Sequence, residues 1–171
     1  MFRKPLNILY LSSFGSLWGG GQESLFYLVT NLDKMAFRPH VNLPTEGSLA
    51  KKLRVHDIDV TVLDLPKVMN FRIQRNVKAL YKLLKLTLEY RIDLIHTDGP
   101  RNTFYAGLVA KIKRIPLVWH VRASNRDKYD RLSYHLSSKL ILVANSLRSR
   151  FDWAGLRKRN IIVEKLDRKS G

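Results

Sequence analysis

Short apolar runs alternate with helix-length amphipathic stretches from one end of this chain to the other. Residues 7–11, 38–43, 59–65, 94–97, 117–121 and 140–144 read as strands, with 161–163 as a last short one. Between them, 25–32, 49–55, 71–90, 102–113, about 130–137, and a stretch from Asn145 or Ser146 to about Trp153 read as helices. Strands joined through helices run in the same direction, because each helix spans back along the sheet before the next strand begins. The alternation therefore predicts an α/β, Rossmann-like, doubly wound and mostly parallel sheet of about six or seven strands, with helices on both faces. Ligands in such a sheet sit beyond the carboxyl ends of the strands. That directs attention to residues 15–23, 45–47, 96–101, 120–126 and 145–146.

The turn after the first run, SSFGSLWGGGQES over residues 12–24, is the richest in glycine. Glycine lets backbone amides approach a ligand where a Cβ would clash. A helix N-terminus adds unpaired donors and a partial positive charge, and the two together suit an anion, usually phosphate. Gly15, Gly19, Gly20 and Gly21 do not spell G-x-G-x-x-G, nor a P-loop, since Gly21 stands where the P-loop lysine belongs. A flexible turn that binds nothing is the competing reading. Glu23 falls in the first helical turn, where its charge suits the dipole or meets a ligand hydroxyl.

The 171 residues suit one domain with a substantial core, and 45% apolar content argues against disorder. With no cysteine, disulfides and thiolate metal sites are excluded, which fits a cytoplasmic protein. The basic, then apolar N-terminus is too short in its apolar part for a signal peptide, and no run approaches a membrane span. The charge is the unusual total: 31 Lys and Arg against 14 Asp and Glu leave a net +17. Such a chain is drawn to nucleic acid, an anionic membrane surface or phosphorylated ligands. Nucleic acid is not expected, because aromatics do not interleave with basic residues on one sheet face and no recognition motif is present.

His96 and Asp98 end the fourth run in IHTDG, and His120 and Arg122 end the fifth in WHVR. Neighbouring strand ends would turn both histidines toward one crevice, where a neutral imidazole bonds sugar hydroxyls and an arginine forks onto phosphate. Each histidine alternatively satisfies backbone groups at its strand end. A His pair also suggests zinc, but only Asp98 is available as a third ligand, so no metal is expected. Arg122, Arg126 and Lys128 crowd one loop, either as an anion subsite or as solvated charge. In the helix 71–90, Ile73, Val77, Leu80, Leu84 and Leu88 follow three-and-four spacing and are expected to face the sheet. Arg75, Lys78, Lys82 and Lys85 form a basic stripe beside Tyr81, suited to anionic lipid or simply solvated. No G-x-S-x-G or H-E-x-x-H occurs, so nothing supports hydrolysis by a triad or a zinc peptidase.

Taken together, NILYLSS before GGGQES, EGSLAKKLRVHDIDVTVLDL, RIDLIHTDG, IPLVWHVR and KLILVANSLRSRF, in that order, resemble the N-terminal, acceptor-side domain of GT-B retaining glycosyltransferases, most closely family 4. The resemblance runs to about Phe151. It implies that Gly19, Gly20, Gly21 and Glu23 approach the diphosphate of a nucleotide-sugar donor, which is a substrate rather than a cofactor. It implies that His120 is the active-site histidine contacting the transferred sugar. His96, Asp98, Arg122, Arg126, Asn145 and Ser146 would line the acceptor side, facing a glycan or lipid-linked acceptor. Relatives continue into a second domain that holds most of the nucleotide. The expected division is therefore a Rossmann-like domain over 1–163 and a polar tail over 164–171, with the donor-binding domain supplied in cis or by a separate chain. Such a half would be inactive alone. The expected setting is the cytoplasm, at the inner membrane face. The rival reading is a non-catalytic module for anionic membrane or phosphorylated ligands.

Overall fold

The computed structural model describes residues 4–16, 19–67, 73–154 and, as backbone, 161–163. Its strands are β1 Leu6–Leu11, β2 Phe37–Leu43, β3 Asp59–Val62, β4 Leu94–Thr97, β5 Leu117–Val121, β6 Lys139–Leu142 and β7 Ile161–Val163. Its helices are α1 Gly20–Thr30, α2 Ser48–Val55, α3 Ile73–Glu89, α4 Pro100–Lys113 and α5 Asp130–Leu136, followed by a 3₁₀ segment, Asn145–Ala154. The strands form a single sheet in the order β3-β2-β1-β4-β5-β6-β7, and every pairing is parallel. The expected doubly wound sheet is thus observed. Its order reverses between β1 and β4, the point where such sheets open a crevice.

The strand β1 shows why the sheet is covered on both faces. Leu9 and Leu11 pack with α3 and α4 residues, while Ile8 and Tyr10 pack with α1 and α2 residues. Successive strand side chains point to opposite faces, so one apolar run feeds two cores. A third cluster joins Trp119 and Val121 of β5 to Leu140, Leu142, Leu147 and Phe151.

Boundaries differ from expectation where turn chemistry overrides hydrophobic pattern. The helix α1 starts at Gly20, so Gly20 and Gly21 are helical residues rather than part of a loop. The helix α4 starts at Pro100, since proline at a first helical position loses no hydrogen bond. The last helix is 3₁₀ and kinked at Phe151. Asn70, the expected cap of α3, and the tail 164–171 lie outside the described residues.

The sheet-facing stripe expected for α3 is corrected. Ile73, Val77 and Leu88 are 67, 58 and 52% exposed. The buried positions are Ala79, Leu83, Leu86 and Thr87, with Leu80 and Leu84 partly packed. The helix is rotated from the simplest apolar reading, so that Ala79, Leu83, Leu86 and Thr87 face the core and Ile73, Val77 and Leu88 do not. The three-and-four spacing is shared by two stripes, and spacing alone does not choose between them.

Two loops at the carboxyl edge touch backbone to backbone. A Cβ on Gly15 would lie 2.3 Å from the Thr45 carbonyl oxygen, and one on Gly47 would lie 2.5 Å from that of Gly15. The loop after β5 is held from beneath. Arg150 forks onto Asp130 with contacts of 2.6 and 2.9 Å, and its other nitrogen donates to the Ala123 carbonyl at 2.6 Å. Both side chains of this pair are almost fully buried, at 4 and 5% exposure. Loss of one partner would leave the other charged and buried. Arg150→Met is expected to cost about 3–5 kcal/mol of stability, and the double variant Asp130→Leu/Arg150→Met to recover most of that, as read by urea unfolding.

Candidate functional site

At the switch point a carboxylate joins the loops after β1 and β4. Asp98 accepts from the Ser13 N–H at 3.0 Å, the Ser13 hydroxyl at 2.9 Å and the Ser12 hydroxyl at 3.1 Å. Asn102, in the first turns of α4, donates to the Ser13 hydroxyl at 3.2 Å. Burial pushes the Asp98 carboxyl up, against the pull of the Ser13 and Ser12 hydrogen bonds and the Arg122 charge. A Cβ on Gly99 would come within 2.5 Å of Ser13 Oγ, so the two loops pack closely as well as bonding.

Above this junction lies a cavity of about 340 Å³. The start of α1 supplies Gly19, Gly20, Gly21 and Gln22, the end of β4 supplies Asp98 and Gly99, and β5 and its loop supply Trp119 and Arg122. Packing does not require those three glycines. A Cβ on Gly20 would meet nothing within 4 Å, one on Gly19 would meet only Gln22 at 3.8 Å, and one on Gly21 would touch the Arg122 stem at 3.6 Å. Gly19 is in extended conformation and no side chain caps α1. What the glycines provide is therefore bare backbone at a helix N-terminus, facing a guanidinium.

Beneath Arg122 sit the two histidines, both buried. Their rings meet edge to face at 5.5 Å, and Tyr10 packs on His96 at 5.0 Å. Arg122 Nη2 lies 3.2 Å from His120 Nδ1. A guanidinium only donates, so Nδ1 accepts and the ring proton belongs on Nε2. Burial pulls His120 down to about 4, aided by the Arg122 charge. Burial also pulls His96 down to about 3, aided by His120 and Arg122. Both imidazoles are neutral at physiological pH.

The structure brings together Gly19, Gly20, Gly21, Asp98 and Arg122 at one cavity, with His120 against Arg122 and His96 against His120. Other expected site residues stand apart. Glu23 is exposed, and its neighbour Gln22 is the one turned into the cavity. Arg126 is exposed and bound to Asp152 at 2.7 Å and to the Ser149 carbonyl at 3.2 Å. Asn145 and Ser146 are exposed, and Asn145 accepts from Arg148 at 2.7 Å. Sequence reading missed Gln22, which helical spacing would have paired with the buried Leu25, Phe26 and Val29. It also missed Ser12 and Ser13 as the partners of Asp98, a contact across 86 and 85 residues with no local signal. Among the described residues, no three His, Asp or Glu side chains cluster as metal ligands.

The model of Glycosyltransferase Family 4 matches residues 18–163, in agreement with the sequence resemblance. The fold is similar to that of HepE from Anabaena, solved with UDP and glucose, at a TM-score of 0.71 and 23% identity, covering 91% of this chain and 43% of that one. A glycosyltransferase from Rickettsia africae superposes at a TM-score of 0.76 with 17% identity, covering 94% of this chain and 43% of that one. The lipopolysaccharide outer core galactosyltransferase WaaB gives 0.70 and 12%, covering 92% and 45%. This chain thus spans less than half the length of these structures. No curated protein sequence matches it.

His40, lowered by burial, adds in the same direction to the pH dependence set by the depressed His96 and His120. An unfolded chain takes up their protons near pH 6.5, whereas the folded one does so only near 4 and 3. The unfolded state therefore binds more protons across that window, and stability is full above pH 6.5 and falls as pH drops through it. Urea unfolding is expected to show a loss of about 1.4 kcal/mol per pH unit for each histidine in that range. His96→Phe is expected to flatten the slope, and an unchanged slope would contradict the assignment.

Proposed function

We propose, for a chain that belongs to glycosyltransferase family 4 over residues 18–163, that it forms the acceptor-binding half of a retaining, nucleotide-sugar-dependent glycosyltransferase acting on a glycan or lipid-linked acceptor. The observation that carries this reading is the bare glycine start of α1 facing Arg122 across the switch-point cavity. HepE is solved with UDP and glucose, which supports a nucleoside diphosphate sugar as donor. The solved relatives are more than twice as long as this chain, which supports a second domain, in cis or as a separate chain, closing over the glycines.

In this reading the donor diphosphate takes the α1 N-terminus and also Arg122, which was expected on the acceptor side but shares the cavity with the glycines. A bond from Arg122 to a charged phosphate is stronger than its present bond to a neutral imidazole, so donor binding draws Arg122 off His120. His120 is then uncovered toward the transferred sugar. The acceptor hydroxyl bonds to the anomeric carbon on the face from which the nucleoside diphosphate departs, and its proton passes to the leaving phosphate oxygen. Configuration is retained, and protein groups stabilise the leaving charge without a metal cofactor. In the enzyme assembled with its second domain, His120→Ala is expected to lower turnover by about 100-fold or more. Near-wild-type turnover would remove His120 from the mechanism.

A second reading, attachment to an anionic membrane at the cytoplasmic face, is favoured by α3. Ile73, Val77, Tyr81 and Leu88 are exposed on it, with Arg75, Lys78, Lys82 and Lys85 also exposed. An apolar stripe flanked by cations suits an interfacial helix, with each cation worth about 1 kcal/mol near an anionic surface. No helix among the described residues is long and apolar enough to cross a membrane. Co-sedimentation with phosphatidylglycerol vesicles is expected to weaken in salt. Reversing the four cations to Glu is expected to abolish it, and retained binding would exclude α3 as the contact.

A further inference from the structure

We infer that a second cavity, adjoining the first, holds the anionic group of a phosphorylated acceptor; the inference rests on the glycosyltransferase reading. This cavity measures about 430 Å³. Ser13, Gly99 and Pro100 line both cavities, so one thin wall separates them. A molecule seated in the second cavity can therefore present a hydroxyl across that wall to a sugar in the first.

The chemistry of the second cavity follows from its charges. Lys67, beyond β3, Arg101, in the first turn of α4, and Lys128, just before α5, all line it. Three segments far apart in sequence thus deliver three cations to one concavity. Among the described residues none of the three is in an ion pair. Asp127, the acid among the described lining residues, accepts the Tyr129 N–H at 2.9 Å, which fixes the turn into α5. The helix α4 begins at this wall without a side-chain cap, adding a partial positive charge. In a chain of net +17, cations scattered on a convex surface would carry no message. Gathered in a hollow, they focus their field on whatever enters. Arg101 offers a planar fork and the lysines offer point charges, which together suit phosphate or diphosphate oxygens.

The assignment also accounts for Arg126, which is bound to Asp152 outside both cavities. Of the three cations expected in the loop after β5, Arg122 lines the first cavity and Lys128 the second.

The test follows backbone amide signals of the nitrogen-labelled chain by NMR during titration with inorganic pyrophosphate at low salt. A saturable response at Gly99, Arg101 and Lys128 is expected, and Arg101→Gln and Lys128→Gln are each expected to weaken it about ten-fold. Lys67→Gln, at an exposed position, serves if either variant fails to fold. Geranyl diphosphate and a glucose phosphate then separate the sources. Tighter binding of the first assigns a lipid-linked acceptor, and of the second a soluble one. No saturable response at these amides, or equal binding by the variants, overturns the inference. UDP titrated against the amides of Gly19, Gly20 and Gly21 probes the parent reading separately. A UDP response without a pyrophosphate response at Arg101 and Lys128, which line only the second cavity, sinks this inference alone, and the reverse sinks the donor-side reading.

Discussion

The carboxylate of Asp98 is the contact on which this site depends. It sits where the strand order reverses, between β1 and β4, and takes hydrogen bonds from Ser12 and Ser13 across that gap. Without it the two loops would part at the point where parallel sheets open. Everything placed around the cavity inherits this junction: the start of α1 through the loop after β1, and the start of α4 through Gly99. Three hydrogen bonds from Ser12 and Ser13 commit most of the lone pairs of Asp98 to holding these two loops together.

A second device holds the opposite wall. Arg150 and Asp130 are buried together, and Arg150 also grips the Ala123 carbonyl in the loop that carries Arg122. A buried ion pair contributes little net stability over an apolar pair, yet it has sharp directional demands. Here it sets the path of the β5 loop, with Arg122 over the first cavity and Lys128 at the second. Positive charge around the cavities is thus arranged by one buried pair and one buried carboxylate.

The neutral histidines fit this economy. Two imidazoles in contact beneath a guanidinium cannot hold protons cheaply, because burial and the nearby charge act in the same direction. His120 therefore offers Arg122 a neutral acceptor.

Much of this was legible in the sequence. About six or seven mostly parallel strands follow from apolar runs separated by helices, whereas the order that puts the switch point between β1 and β4 is seen only in the structure. Gly19, Gly20, Gly21, Asp98 and Arg122 could be picked out because each stands just beyond a strand. Other features were not legible. Glu23 and Gln22 are neighbours, and only the rotation of α1 decides that Gln22 enters the cavity. Ile73, Val77 and Leu88 share their spacing with Ala79, Leu83 and Leu86, and only packing against the sheet chooses the smaller set. The bond between Asp98 and Ser13 and the meeting of Lys67, Arg101 and Lys128 join residues far apart in the chain. Local periodicity determined the elements and their order, since it reports which side of each segment avoids water. Tertiary structure decided which polar side chains meet, because those distances depend on helix rotation and loop path, which no local pattern encodes.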